Sequence, residues 1–323
     1  MIIPIPRHLK GIHLLTLMSV LVLARPAFPW GCEGHRVVAL LALDQLNPHA
    51  RAAAAQLLEG TPVDPALRRF CPSSNLPAFV DVSTWADDIR SQRKETGGWH
   101  FIDIPLSAKR DAVKDACPGA SGCVTTAIRH QLDVLRSPSA AKHAQAEALM
   151  FLIHFVGDLH QPLHAADNAD RGGNCVAVAI FDKKPETSGT TQSYRPNLHG
   201  VWDTDLVEAV AHGLEPAAFA DALRQEFARE VPRWKRQPID VDAWAWESHH
   251  LAIKTVYGKL PKKVPVEPPE PVESCADRNM GQRMFDLHEE INQRYVTAAS
   301  PAIRRQLARA GTRLAMLLNE VWP

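Results

Sequence analysis

The chain lacks a charge imbalance. Its 36 Lys and Arg side chains are matched by 36 Asp and Glu over 323 residues. Proteins that hold nucleic acid mainly by neutralising backbone phosphates carry a basic excess. Any affinity for phosphate here must therefore come from bound cations and local arginines. The chain also lacks a Cys-x-x-Cys pair, although six cysteines are present, which argues against a thiolate metal site. It has no internal repeat, and after residue 29 no apolar run long enough to cross a bilayer. What remains is an ordinary globular composition, 46% hydrophobic and 22% charged, long enough for one large core or two smaller ones.

The first 29 residues differ from the rest. Arg7 and Lys10 form a positive start, and Gly11 to Leu23 is apolar apart from His13, Thr16 and Ser19. That run is too short to span a bilayer and sits where a secretory signal has its apolar core. Residues 1–29 are therefore expected to be a signal peptide and 30–323 the mature chain, secreted or periplasmic, with no integral membrane association after cleavage. An uncleaved N-terminal anchor is the competing reading. Cleavage after Pro29 exposes Trp30 and places Ala27 at −3. Cleavage after Ala27 puts Arg25 at −3 and leaves Phe28-Pro29 to be trimmed. Losing Arg7, Lys10 and Arg25 leaves 33 basic against 36 acidic side chains. All six cysteines follow residue 29, and export permits disulfides. Cys117 and Cys123 can close a short turn-rich loop. Cys32, Cys71, Cys175 and Cys275 allow three pairings.

Helical periodicity dominates residues 30–323. The sequence predicts helices over Val37 to Gln45, Ala50 to Leu58, Leu76 to Ser91, Thr125 to Leu135 and Ala141 to Leu159, separated by Asn47-Pro48, Gly60 and Ser137-Pro138. Ala141 to Leu159 is apolar on most faces, the pattern of a buried central helix. Gly173 to Phe181 alternates and is rich in Val, so it is the best strand candidate. Lys183 to Pro196 is a polar loop. Helices resume near Asp203, Pro216 and Val241, and Pro261 to Pro271 cannot be helical. A last helix is expected over Pro301 to Leu318, with Arg304, Arg305, Arg309 and Arg313 on a solvated face. The fold class is mainly α, a single helical domain with little β structure.

Four short stretches carry chemistry. In His154-Phe-Val-Gly-Asp158-Leu-His160-Gln-Pro-Leu-His164, His154 and Asp158 are four residues apart. On a helix their β-carbons lie about 6 Å apart, so both reach one ion. Pro162 stops the helix and turns His164 elsewhere. Asn197-Leu-His199-Gly-Val-Trp-Asp203 repeats the spacing. Trp85-Ala-Asp87-Asp88-Ile-Arg90 and Trp99-His100-Phe101-Ile102-Asp103 complete the set. One such pair alone is more often a plain hydrogen bond. Two pairs, with Trp30-Gly-Cys-Glu-Gly-His35 at a new N-terminus, point to metal. Imidazole and carboxylate without thiolate favour zinc of the catalytic type. His160 reads as a supporting or surface histidine, His249-His250 as structural or exposed, and Gly172-Gly173-Asn174 as a turn into the strand.

These stretches resemble the zinc-dependent type I nucleases: fungal single-strand nucleases, plant bifunctional nucleases and bacterial homologues. The likeness runs from Trp30 to Asn319, with Trp244 to Ser248 fitting as well. It implies a helical domain of the phospholipase C and nuclease type with a cleft for three zinc ions. One ion would take Asp87, His100, His154 and Asp158. Its neighbour would take the amine and carbonyl of Trp30, His35 and Asp158, and the third His164, His199 and Asp203. The resemblance assigns catalysis to Asp87, Arg90 and Asp158, with Arg90 steadying transition-state charge. It assigns base stacking to Phe101 and base hydrogen bonding to Asp103. Substrates would be single-stranded DNA, RNA and 3′-nucleotides, with no stable protein partner implied. Phosphatidylcholine-specific phospholipases C share the metal logic but typically end the second pair in Glu, where this chain has Asp203. A non-catalytic zinc-binding protein is the third reading. The chain departs from the family in the length of Lys183 to Pro196 and in lacking a late cysteine after Glu-Ser.

Overall fold

The computed structural model describes residues 30–68, 70–117, 119, 122–185, 196–269, 272, 274, 275 and 289–323. The expected signal peptide, residues 1–29, lies outside these, as do parts of the two expected loops.

The chain enters at Trp30 and forms α1 (Gly31–Leu43) and α2 (Pro48–Glu59). Asn47 starts α2: its side chain accepts from the Ala50 N–H at 2.8 Å, and Pro48 sits where its missing N–H costs nothing. Two short helices follow, α3 (Ala78–Asp81) and α4 (Trp85–Ile89), where the sequence predicts one helix over Leu76 to Ser91. The break has a function. Asp87 N–H bonds to Thr84 O (3.2 Å), which frees the Ser83 carbonyl to accept from His154 Nδ1 at 2.8 Å.

Then come α5 (Val124–Arg136) and α6 (Lys142–His160). From Leu149 to His160 every α6 residue is buried, as its all-round apolarity requires. It packs on α5, α2, α4 and α1. After it, α7 (Leu198–Gly200) widens through a π-turn (Val201–Asp205) into α8 (Leu206–Ala211). The helices α9 (Pro216–Glu226), α10 (Val231–Lys235) and α11 (Val241–Leu251) follow. The last helix, α12 (Gln293–Val321), begins well before Pro301 and carries that proline inside it. Asn292 caps it by accepting from Tyr295 N–H at 3.1 Å.

Helix α12 lies against α1 so closely that a β-carbon at Gly311 would meet Leu41 Cβ at 2.5 Å. Buried apolar side chains from Trp30 to Leu318 form one continuous cluster. The β content among described residues is two short parallel strands, β1 (Val178–Ile180) and β2 (Glu289–Ile291), with Val178 opposite Glu289. The strand is shorter than Gly173 to Phe181 because Gly172, Gly173 and Phe181 adopt left-handed backbone (φ 59°, 81° and 51°). Disulfides join Cys32–Cys71, Cys117–Cys123 and Cys175–Cys275, selecting one of the three open pairings. No helix among the described residues is long and apolar enough to cross a membrane.

Candidate metal centre and substrate cleft

Six pieces of backbone bring the candidate ligands together. Helix α1 supplies His35, α4 supplies Asp87, and α6 supplies His154 and Asp158. His100 ends the 3-10 segment Lys94–His100, and His164 lies in the 3-10 turn Pro162–Ala165. His199 and Asp203 span the junction of α7 with its π-turn, a widened turn of the kind often found at functional sites. All are buried except His199, which keeps a small exposed edge. His35 reaches the centre by lying on Gly157: a β-carbon there would sit 2.8 Å from His35 Nδ1.

Their polar atoms form three clusters: His35 with Asp87 and His154, His100 with His154 and Asp158, and His164 with His199 and Asp203. Asp158 is the hub. Its Oδ2 lies 2.9 Å from His100 Nδ1 and 3.1 Å from His154 Nε2, and its Oδ1 lies 3.4 Å from His35 Nε2. Asp87 Oδ1 is 3.7 Å from both His100 Nδ1 and His154 Nε2. In the third cluster, His199 Nε2 is 3.4 Å from Asp203 Oδ2 and 3.1 Å from His164 Nε2.

The hydrogen bonds behind these rings fix which nitrogen faces the centre. His154 Nδ1 donates to Ser83 O, His164 Nδ1 to His100 O (2.8 Å) and His199 Nδ1 to Gly172 O (2.7 Å). Each neutral ring then turns an unprotonated Nε2 inward, the orientation that metal-binding imidazoles receive from such partners. His164 and His199 thus aim two nitrogen lone pairs at each other across 3.1 Å. A proton is a poor bridge there. Burial, followed by the neighbouring His164, pushes His199 down to about 3, and burial likewise lowers His164. Burial also pushes His100 down to about 4 and Asp203 far above the usual carboxylate range. Asp158 Oδ1, Asp203 Oδ2, His100 Nε2 and both nitrogens of His35 have no hydrogen-bond partner. Buried polar atoms are normally paired. Buried nitrogen and oxygen donors that converge without partners fit cations, and that donor set fits zinc.

A cavity of about 600 Å³ opens beside the third cluster, lined by Phe101, Asp103, Leu163, Asp167, Arg171, Asn174 and His199 among others. Phe101 is 39% exposed, a large apolar face held out to solvent. Asp103 is exposed at the mouth of the cavity. Enclosure by the cleft, reinforced by Asp167 and relieved by Arg171, pushes its carboxyl up to about 7. Arg90 Nη2 stands 2.8 Å from Asp87 Oδ1. One wall is the loop 167–175. Asp167 Oδ1 accepts from the N–H of Gly172 (2.9 Å), and Asp170 Oδ1 from that of Gly173 (2.8 Å). Tyr257 Oη donates to both oxygens of Asp170, at 3.1 and 2.9 Å.

The structure thus gathers His35, Asp87, His100, His154, Asp158, His164, His199 and Asp203 in one centre, and places Phe101 and Asp103 in the cavity that His199 also lines. Trp30 is buried beside them, its N–H 3.3 Å from Asp203 Oδ1. Its carbonyl accepts from Gly34 N–H at 2.9 Å, so one lone pair of that oxygen remains for a cation. One sequence reading needs correction here. The arginines of α12 are not a solvated face: Arg313 is buried and pairs with Glu247 at 2.7 Å, because α11 presents acid where solvent was expected. Gly172 lies in the expected turn into the strand, and its carbonyl also orients His199. Gln161, whose amide donates to Asp203 Oδ1 at 2.6 Å, and the Ser83 carbonyl also escaped the sequence reading. Gln161 lay between two ligands, a visible but weak signal, and a backbone carbonyl leaves none.

Comparison with known proteins bears on the same residues. A family model described as S1/P1 Nuclease matches residues 30–323. Nuclease P1 of Penicillium citrinum is 32% identical over 312 residues, covering 90% of this chain and 97% of that protein. Endonuclease 2 of Arabidopsis thaliana is 26% identical over 328 residues, covering 97% and 98%. Nuclease S1 of Aspergillus oryzae is 29% identical over 259 residues, covering 74% and 80%.

Proposed function

The chain belongs to the S1/P1 nuclease family, and from that premise we propose that it is an exported zinc phosphodiesterase. It hydrolyses single-stranded DNA and RNA to 5′-mononucleotides and also removes phosphate from 3′-nucleotides. Both activities are one reaction. Water adds to phosphorus, the P–O3′ bond breaks, and the leaving 3′-oxygen takes a proton. In a polymer this leaves a 5′-phosphate, and in a 3′-mononucleotide it frees phosphate.

The observation that carries the metal reading is the inward-facing, unprotonated pair His164 Nε2 and His199 Nε2, 3.1 Å apart. Asp87, His100, His154 and Asp158 would hold one zinc. His35, Asp158 and the nitrogen and carbonyl of Trp30, freed by removal of residues 1–29, would hold a second, and His164, His199 and Asp203 a third. Bound zinc supplies positive charge that polarises phosphoryl oxygens and makes water acidic near neutrality.

The chain's own groups do the rest. Asp158 keeps two clusters together through its two oxygens. Arg90, anchored on Asp87, provides a fixed charge for the phosphorane-like transition state. Phe101 offers a face on which an unpaired base stacks, and Asp103 accepts hydrogen bonds from that base. A base inside a duplex cannot enter the cavity, which accounts for single-strand selectivity. Charged and polar side chains in the cleft (Asp103, Asp167, Arg171, Asn174) fit a nucleotide better than a lipid.

The test is one purified preparation assayed on single-stranded DNA, a 3′-mononucleotide and phosphatidylcholine. Hydrolysis of the first two is expected. Hydrolysis of the lipid alone would identify a phospholipase, and turnover of none would leave a zinc-binding protein.

A further inference from the structure

The last turn of α6 has more support than helix geometry requires. A helix leaves its final carbonyls without backbone partners, and Pro162 brings no N–H to help. Here side chains from two other helices take over. Ser248 Oγ on α11 donates to Leu159 O at 2.6 Å, and Gln306 Nε2 on α12 donates to His160 O at 3.0 Å. Gln306 also donates to Ser248 Oγ at 3.2 Å, tying the two supports together. The His160 ring is fixed from both sides. Its Nδ1 donates to Val156 O at 2.7 Å, so Nε2 accepts from Arg313 Nη1 at 2.9 Å. Arg313 in turn pairs with Glu247 and lies over the Trp244 ring, 5.0 Å from its centroid.

The supports are buried: His160, Ser248 and Gln306 are 0% exposed and Arg313 is 3%, while Glu247 is half-buried. An arginine without water is costly unless fully paired, and a well-packed apolar residue would fill the space at less risk. What the cluster holds gives the reason. Within seven residues of chain lie Asp158, the hub of two clusters, then Gln161, which fixes Asp203, then His164 of the third cluster.

We propose that Arg313, acting through His160 and together with Ser248 and Gln306, is a positioning unit that keeps the segment 158–164 in the geometry required by all three metal clusters. This rests on the reading that those clusters hold zinc. Partners that orient metal ligands typically contribute 10- to 100-fold to metal affinity or activity.

The experiment uses the processed, disulfide-intact protein that begins at Trp30, as wild type, Arg313→Met, Arg313→Lys and Ser248→Ala. Zinc per chain is measured across a chelator series, with kcat and KM on a 3′-mononucleotide and the Tm of the chelated form. Arg313→Met should release zinc at about tenfold lower chelator and lose about tenfold in kcat, with KM nearly unchanged. Arg313→Lys, which keeps a buried donor and charge, should recover part of both. Should Arg313→Met fail to fold, Ser248→Ala removes a single hydroxyl and should still release zinc earlier than wild type. Wild-type zinc retention and kcat in the folded variants, with only Tm lowered, would overturn the proposal. A wild-type chain that retains no zinc would instead overturn the metal reading, and this inference with it.

Discussion

The floor and the wall of the cleft are built differently. The floor is helical and dry: His154 and Asp158 sit on a fully buried stretch of α6, and the rings of His154, His164 and His199 each have Nδ1 tied to a backbone carbonyl. The wall is irregular. It consists of the loop 167–175, the exposed Phe101 and the proline-rich segment, joined by Cys175–Cys275 and by Asn168, which donates to Pro265 O (2.9 Å) and accepts from Glu267 N–H (2.9 Å). Reaction chemistry needs donors held to a fraction of an ångström. Substrate selection tolerates, and uses, a surface on loops. Changes to the floor should therefore act on kcat and zinc, and changes to the wall on KM.

The largest effect should come from the hub. Asp158→Asn should abolish measurable turnover and release zinc, exceeding the loss in Asp203→Asn, because Asp158 serves two clusters and Asp203 one. Activity assays paired with metal analysis decide it; equal losses at unchanged zinc content would remove Asp158 from its place as hub. Next is Arg90→Ala. Its charge acts at the transition state, so kcat should fall about 100-fold or more while KM changes little. A pure KM effect would make Arg90 a ground-state phosphate anchor and blur the contrast between floor and wall.

Phe101→Ala belongs to the wall. Base stacking contributes about 1–3 kcal/mol, so KM for single-stranded DNA should rise about 5- to 150-fold with kcat nearly intact. A kcat loss without a KM change would move Phe101 to the floor. The smallest effect is one of pH. Asp103 accepts from a base through both oxygens, and most strongly, when ionised, and its surroundings raise it to about 7. Ionised above that value and protonated below, it should give a KM that rises as pH falls through about 7. In Asp103→Asn the KM should be flat over the same range, and a parallel rise in that variant would assign the titration elsewhere.

The contrast also explains what the sequence made legible. The floor was readable because helical spacing is a local rule: His154 and Asp158, four residues apart, announce a shared face. His199 and Asp203 were readable by the same rule, although the helix there widens into a π-turn that the pattern did not reveal. The mainly helical class was likewise plain. The division of Leu76 to Ser91 was not, because the break depends on His154, far along the chain, taking the Ser83 carbonyl. The start of α12 was misplaced because Pro301 resembles a first-turn proline, while Asn292 supplies the actual cap. The burial of Arg313 was hidden for the same reason: its partners, Glu247 and His160, are distant in sequence. Long-range pairing lies beyond periodicity, and the supports of the centre are mostly of that kind.

The central claim is that the buried lone pairs exist to hold catalytic zinc. The most direct measurement strips the purified protein with chelator and titrates zinc back while following hydrolysis of single-stranded DNA. The account predicts no activity in the stripped protein and recovery that is complete only as three equivalents per chain are bound. Full hydrolysis by a chain shown to contain no metal would contradict it.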